Sequence, residues 1–491
     1  MHETRPEELH QDTRTKQTTL DLRPSLLPSM TNIQSRLKLA SQELQLLCCG
    51  LLALLPYLYA VRLGDLRENT PAFLGAFLAS FIFYGLACGL AVRMTRLSTG
   101  ALWGVFTLGA IMLGVLLFTP PTLSDDMYRY IWDGRVQAQG ISPYLYSPDS
   151  DELRGLRDGR IWPDINRKSA VTIYPPVAEM IFAALWHLWP DNVRWFQGVM
   201  SAGALLGGYL LLKLLQELQL PTSRLVIYLW SPLLIYETAH SAHLEGLVLP
   251  LLVLAWWMGL RNQPGLSGLI LGLATGIKLY PAFLFPALWR RDKPAAWRYP
   301  AAFFGVLIIA YLPYWLSSRA GVLGFLPEYI RDLFNVPPHI QLLHTLLKLA
   351  EVDWRSWTPL TGLLILSLLG VLMLIRPPKD ALSTLRRSAW IIAAYTLISQ
   401  NLFSWYMLWI LPLVAVFLLP PGESRLSAWT GWWLFCGLVG LSYSFFISWK
   451  PVPMAIWGQF LPLYLFLLVD LAQKTPKVRS LLWKKPSLPT F

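Results

Sequence analysis

Asp125 and Asp126 stand side by side just past an apolar run that ends near residue 119, in the stretch TPPTLSDDMYRYIWDGRVQAQGISPYLY. Two adjacent carboxylates where a hydrophobic helix meets water do nothing for packing. Their natural chemistry is proton transfer. Each disfavours the charge on the other, so one of them holds its proton to higher pH and becomes the stronger base. The competing role is structural, since Ser124 and Asp are both N-cap residues. If the following segment is helical, Asp126, Tyr130 and Asp133 share one face, with Arg129 close by.

Three other places carry chemistry in apolar surroundings. HSAHLEGL, residues 240–247, supplies His240, His243 and Glu245 between two apolar runs. A polar pair holding two helices together would look the same. GLATGIKLYPAFLFPALWRR sets Lys278 in an otherwise apolar run, followed by Tyr280. A compact ammonium there suits a phosphate, although a lysine can also snorkel to an interface. SQNLFSWYMLWILP groups Gln400, Asn401, Ser404, Trp405 and Tyr406 at a helix-to-helix turn, where an aromatic belt is the alternative. Neither acidic place has the spacing of a known metal motif.

The elements that must position these residues are membrane helices. Only 14% of the 491 residues are charged and 54% are hydrophobic, whereas a soluble chain carries about a quarter charged residues. Apolar runs near the ~20 residues that cross a bilayer recur along the whole chain. Spans are expected at 44–62, 72–93, 100–119, 193–213, 224–239, 243–260, 265–279, 280–290, 299–317, 357–375, 387–401, 404–420, 427–446 and 453–472. The fold class is thus an all-α polytopic bundle of about 12–14 spans. Residues 1–43 read as a disordered cytoplasmic tail without a signal peptide, 44–472 as the membrane domain and 473–491 as a basic cytoplasmic tail. Two long extracytoplasmic segments, 120–192 and 318–356, interrupt the spans. Cys48, Cys49, Cys88 and Cys436 lie in apolar runs, which argues against disulfides and metal sites. The net charge of +12 fits basic cytoplasmic loops better than nucleic acid.

Charge also orients the chain. With the N-terminus inside, Arg93/Arg96, Lys213/Arg224, Arg261, Arg290/Arg291/Lys293/Arg298 and Arg376/Lys379/Arg386/Arg387 all fall on the cytoplasmic side, as does the C-terminus. That count holds only if TIYPPVAEMIFAALWHLWP, residues 172–190, lies along the outer surface instead of crossing, with Trp186 and Trp189 at headgroup level. All four chemical places then converge on the outer face.

Taken in order, SDDMYRYIWDGRVQAQGISPY, TIYPPVAEMIF, SAHLEGLVLPLLVLAWW, GLATGIKLYPAFLFPALW and SWYMLWILPLV resemble the bacterial polyprenol-phosphate-sugar-dependent glycosyltransferases of the type C fold, mannosyltransferase-like branch. The resemblance covers roughly residues 100–420. It implies a catalytic base in the first outer loop, which falls on Asp126 with Asp125 as its neighbour. It implies a second acidic position at Glu245 and a donor-phosphate element at Lys278 to Pro281. Asp-Asp followed by His-Leu-Glu departs from the acidic pattern of the metal-using branches, so no cofactor is expected and a divalent metal is not favoured.

The reaction implied is inverting transfer of a sugar, mannose by the branch resembled, from a polyprenyl-phosphate donor to a hydroxyl of a glycan or lipid acceptor. It would take place at the periplasmic face of the bacterial inner membrane. Arg129 and Arg135 with Lys278 would stabilise the departing phosphate. Tyr130, Tyr174, His243, Glu245, Tyr280, Trp405 and Tyr406 would line the substrate site. A lipid-linked-sugar transporter or flippase, which would place its charges near the midplane of two related halves, and a cell-surface glycan polymerase or ligase remain open.

Overall fold

The computed structural model describes residues 30–419 and 426–475. The expected tails therefore lie largely outside the described residues; helix α1 (Met30–Leu63) begins within the segment assigned to the first tail, and the last helix, Pro453–Lys474, ends within the segment assigned to the second. Among the described residues the architecture is all helical, with a single isolated bridge between Phe334 and Asn401 and no strand.

Among the described residues, eight helices are long and apolar enough to cross a membrane. They are the 37–63 part of α1, α2 (Thr70–Ala91), α3 (Thr99–Leu116), α6 (Val193–Glu217), α9 (Arg298–Ser318), α11 (Trp354–Ile375), α13 (Ala428–Ser448) and α14 (Pro453–Lys474). Between them lie α4 (Asp126–Ala138), α5 (Pro176–Leu188), α7 (Glu245–Leu260), α8 (Pro264–Ile277), α10 (Pro338–Leu349) and α12 (Ala381–Ile398). The expected bundle of about 12–14 membrane helices appears as these eight together with shorter apolar helices. The segments 224–239, 243–260, 265–279, 280–290 and 404–420 are helical but short or broken. At 1.5 Å per residue, the 16-residue α7 rises about 24 Å, less than a ~30 Å hydrocarbon core. Proline causes the breaks: Pro232 restarts a helix after Trp230, and Pro281 and Pro286 leave only short turns, because each removes an N–H from the ladder.

The spans divide into a central and a peripheral set. Of the most apolar window of α6, 61% is buried, against 17% for α9 and 22% for α11 and α14. The exposed Ile308, Ile309, Leu364 and Leu368 of the outer set therefore face what must be lipid. The central crossing of α6 and α7 is close because Gly203 and Gly246 meet there. A Cβ on either would fall 2.2 and 2.4 Å from the backbone carbonyl of the other helix.

The two ends of the bundle differ. At one end Leu97 bonds Thr222, Ser223 bonds the carbonyls of Ala91 and Met94, and Arg224 caps the carbonyls of Ala415, Val416 and Leu418. At the other end the long segment 120–192 folds over the bundle. Arg135 staples it through Asp158 at 2.6 Å and Asp191 at 2.7 Å. Both ends of α5 stay with this segment: Glu179 bonds Gln137, and Asp191, just past its C-terminus, bonds Arg135. α5 packs against α4 where Gly134 allows close approach; a Cβ there would meet the Phe182 carbonyl at 2.6 Å. The second long segment, 318–356, lies across the first. Phe325 donates to the Thr172 carbonyl, Arg167 pairs with Asp332 at 2.5 Å, and Phe334 bonds residues 400 and 402.

Candidate active site

α4 begins at Asp126, so the first-turn carboxylate is fixed by the helix start itself. Its Oδ1 accepts from Asn166 at 2.7 Å, its backbone N–H donates to Ser124 at 3.3 Å, and His243 Nε2 lies 4.0 Å from Oδ2. The side chain keeps 25% of its surface and is open to solvent. Burial is the main influence on this carboxyl and pushes it above the usual carboxylate range. His243, Lys278 and Asn166 pull the other way, and Asp125 contributes least. Asp125 thus raises its neighbour as expected, but far less than desolvation does. Asp125 turns aside to Arg67, at 2.5 Å. It occupies the N-cap position without making a side-chain cap bond, so capping does not account for it. Arg67, from the turn between α1 and α2, also lies over the Phe446 ring at 5.0 Å.

The chain breaks between Leu229 and Glu245 build the floor. Residues 236–240 form a π turn, a feature frequent at functional sites, and Ala242 follows with φ of 54°. This contortion brings Glu237 and His243 together, with Nδ1 3.0 Å from Oε2. His243 Nε2 lies 3.0 Å from Ser124 Oγ, and the ring stacks on Trp405 at 3.8 Å. His240 faces away and holds the strap over the site through Thr119 at 2.7 Å and Leu123. Neither Glu237 nor Asn166 is among the residues singled out from the sequence. Glu237 had a signal, an acid inside an expected span. Asn166 had none, being a neutral loop residue.

Lys278 terminates α8 and meets Glu245 at the start of α7, 2.5 Å away. It is thus a paired cation, with 22% of its side chain exposed, and not a lone one. Glu245 is fully buried; Trp409 donates to the same Oε1 at 3.1 Å, while Oε2 has no hydrogen-bond partner. Aromatic rings enclose the pair: Tyr280 stacks on Trp409 at 3.4 Å, Tyr406 stacks on Trp409 at 4.5 Å, and Lys278 lies 5.1 Å over the Tyr406 ring. Tyr329 of the second long segment reaches the Tyr406 hydroxyl at 2.7 Å and closes that wall.

The other expected site residues divide. Tyr130 and Tyr174 pack edge to face at 5.0 Å, within electrostatic reach of Asp126. The two arginines expected to stabilise a departing phosphate are otherwise engaged. Arg129 is buried, held by Asp133 at 2.8 Å and the Ala170 carbonyl at 3.0 Å. Arg135 is the loop staple described above. Asp133 adjoins Glu179; burial, then the Asp133 charge, raise the Glu179 carboxyl well above its ordinary value. Gln400 and Asn401 hold residues 330–334 in place. A cavity of about 810 Å³ lies elsewhere, lined by Tyr128, Arg160, Trp189, Arg194 and Gln197 among others, and not by Asp126, His243 or Lys278. Among the described residues, no group of three or more His, Cys, Asp or Glu side chains is arranged to hold a metal ion. The cysteines are free.

Comparison with known proteins meets this geometry. Residues 70–290 match the family model described as alpha-(1->6)-mannopyranosyltransferase, N-terminal domain. That stretch contains Asp125, Asp126, Glu237, His243, Glu245 and Lys278. Over 181 residues the chain is 32% identical to the polyprenol-phosphate-mannose-dependent alpha-(1-2)-phosphatidylinositol pentamannoside mannosyltransferase of Mycolicibacterium smegmatis; the match covers 34% of this chain. It spans 40% of the relative's length. Both comparisons lead to mannosyltransferases, which bears out the resemblance read from the ordered motifs.

Proposed function

We propose that this chain is a membrane mannosyltransferase that moves mannose from a polyprenyl-phosphate donor to a hydroxyl of a glycolipid or glycan at the outer face. The observation that carries the reading is Asp126: a carboxylate with a quarter of its surface free, pushed upward by burial, at the edge of a charged and aromatic chamber.

In the reaction, Asp126 takes the proton of the acceptor hydroxyl. The hydroxyl oxygen bonds to the anomeric carbon as the bond from that carbon to the phosphate oxygen breaks. The polyprenyl phosphate departs with the electron pair, and the single displacement inverts the sugar. A phosphate monoester is stable once formed, so the leaving group needs positive charge more than a proton. Lys278 is the cation nearest in role. Its pairing with Glu245 offsets part of the cost of holding it there while idle, and its remaining exposure leaves it able to meet the donor phosphate. Trp405, Tyr406 and Trp409 offer faces against which a sugar ring can lie. Asn166 holds Asp126 by one oxygen and leaves the other for the substrate.

The supporting facts are the family match, the relative's dependence on polyprenol-phosphate mannose and the convergence of these residues at one end of the bundle. The test is transfer of radiolabelled mannose from a polyprenyl-phosphate donor to extracted lipid in membranes with and without the protein. Label that crosses the bilayer without being transferred would favour a flippase. The same assay with EDTA present tests for a metal: transfer lost and then restored by magnesium or manganese would make the carboxylates ligands.

A further inference from the structure

We propose that Glu237 is a positioning residue of this site, which clamps His243 so that its Nε2 edge stays turned to Ser124 and Asp126. The proposal rests on Asp126 being the base.

Glu237 has no solvent exposure, and its surroundings supply few donors. The Tyr443 hydroxyl donates to it at 2.8 and 3.0 Å, and His243 Nδ1 lies 3.0 Å from Oε2. A buried carboxylate without a partner is strongly disfavoured, so the imidazole is held by what Glu237 lacks elsewhere. Three contacts then leave the ring no freedom. Glu237 takes Nδ1, Trp405 covers one face at 3.8 Å, and Ser124 Oγ meets Nε2 at 3.0 Å. The ring can only point at the start of α4, where Asp126 Oδ2 is 4.0 Å away.

The clamp also acts on charge. Glu237 sets a carboxylate against Nδ1, and the ring it holds stands 4.0 Å from Asp126, where His243 is the largest of the influences that work against the burial pushing this carboxyl upward. The groups facing the histidine are Glu237 and His240 from its own segment and Asp126 with Ser124 from the start of α4. Lys278 acts on Asp126 from the end of α8, and Arg67 acts on His240 from the α1–α2 turn. Glu237 is the only carboxylate in direct contact with Nδ1 among the described residues. Glu237 thereby holds in place the strongest influence that favours the ionised form of Asp126 against its burial.

The experiment measures initial transfer rates against pH for the full chain in lipid vesicles, with a synthetic polyprenyl-phosphate mannose donor, for the wild type and for Glu237→Gln, His243→Gln, the double variant and Tyr443→Phe. Glu237→Gln keeps the shape and the hydrogen bond but removes the charge. Its acid limb is expected to move upward by about one pH unit, a loss of about tenfold on that limb and much less on the alkaline side, with the donor KM little changed. His243→Gln moves the limb as far, and adding Glu237→Gln to it moves it no further, because both act through one ring. Tyr443→Phe, which leaves the clamp in place with one donor fewer, gives a smaller shift of the same sign and serves if Glu237→Gln does not fold. An unmoved limb in well-folded variants, or an equal loss at every pH, overturns the proposal. Asp126→Asn run alongside separates the two readings: normal transfer by that variant removes the base itself, whereas a dead Asp126→Asn with an unmoved Glu237→Gln limb removes only the role of Glu237.

Discussion

Replacing Asp126 with Asn isolates its capacity to accept a proton. The fold should tolerate the change. Asn keeps an amide oxygen to accept from Asn166, now at 2.7 Å, and it begins a helix as readily as Asp. What is lost is the proton acceptor, and general-base loss costs on the order of 10²–10⁴ in rate, or about 3–5.5 kcal/mol of barrier. Asp125→Asn is the internal control. Its ion pair with Arg67 has side chains 24% and 38% exposed, and such pairs are worth about 0–1 kcal/mol, so transfer should fall at most about fivefold. The assay is single-turnover transfer of labelled mannose by equal amounts of correctly inserted protein, with thermal stability recorded for each variant. Near-normal transfer by a stable Asp126→Asn protein would refute the mechanism. A strong loss confined to Asp125→Asn would exchange the two roles.

Lys278→Ala should weaken use of the donor more than use of the acceptor, and should also destabilise the fold by stranding the buried Glu245; a fall confined to acceptor affinity would take Lys278 out of the donor site. In Lys278→Ala/Glu245→Gln the stability loss should be relieved while donor use stays impaired. Cysteine labelling from outside should reach positions in 122–170, while Arg291→Cys should label only after permeabilisation; outside labelling of Arg291→Cys would mean that 172–190 crosses. Glu179 has a folded carboxyl raised by burial and by Asp133, so its contribution to stability is present at low pH and lost as pH rises through the raised value. Glu179→Gln imitates the protonated acid, and the alkaline decline of the melting temperature should flatten; an unchanged slope would show that the pair holds no proton.

The membrane class and most helix positions were legible in the local sequence, because hydropathy is a property of runs and needs no knowledge of partners. The long spans α1, α2, α3, α6, α9, α11, α13 and α14 all fall where apolar runs reach bilayer length. Asp126 was legible for a related reason: a charge at the end of such a run is anomalous on its own terms. The sequence also determined that 224–239 and 280–290 carry prolines, but not that the breaks turn these runs into the floor and wall of a chamber.

Partnership was not legible. Whether Asp125 faces Asp126 or Arg67, whether Lys278 is alone or paired with Glu245, and which carboxylate holds His243 are set by contacts between residues up to 58 positions apart. Periodicity says which face of a helix a side chain shares, but not what the rest of the bundle brings to that face. Arg129 and Arg135 make the point in reverse. In sequence they are two cations beside a candidate base. In the folded chain Asp133, Asp158 and Asp191 have already claimed them, while Asp126 and Lys278 keep part of their side chains exposed, because only the packed segments decide which charges are already neutralised and which remain open.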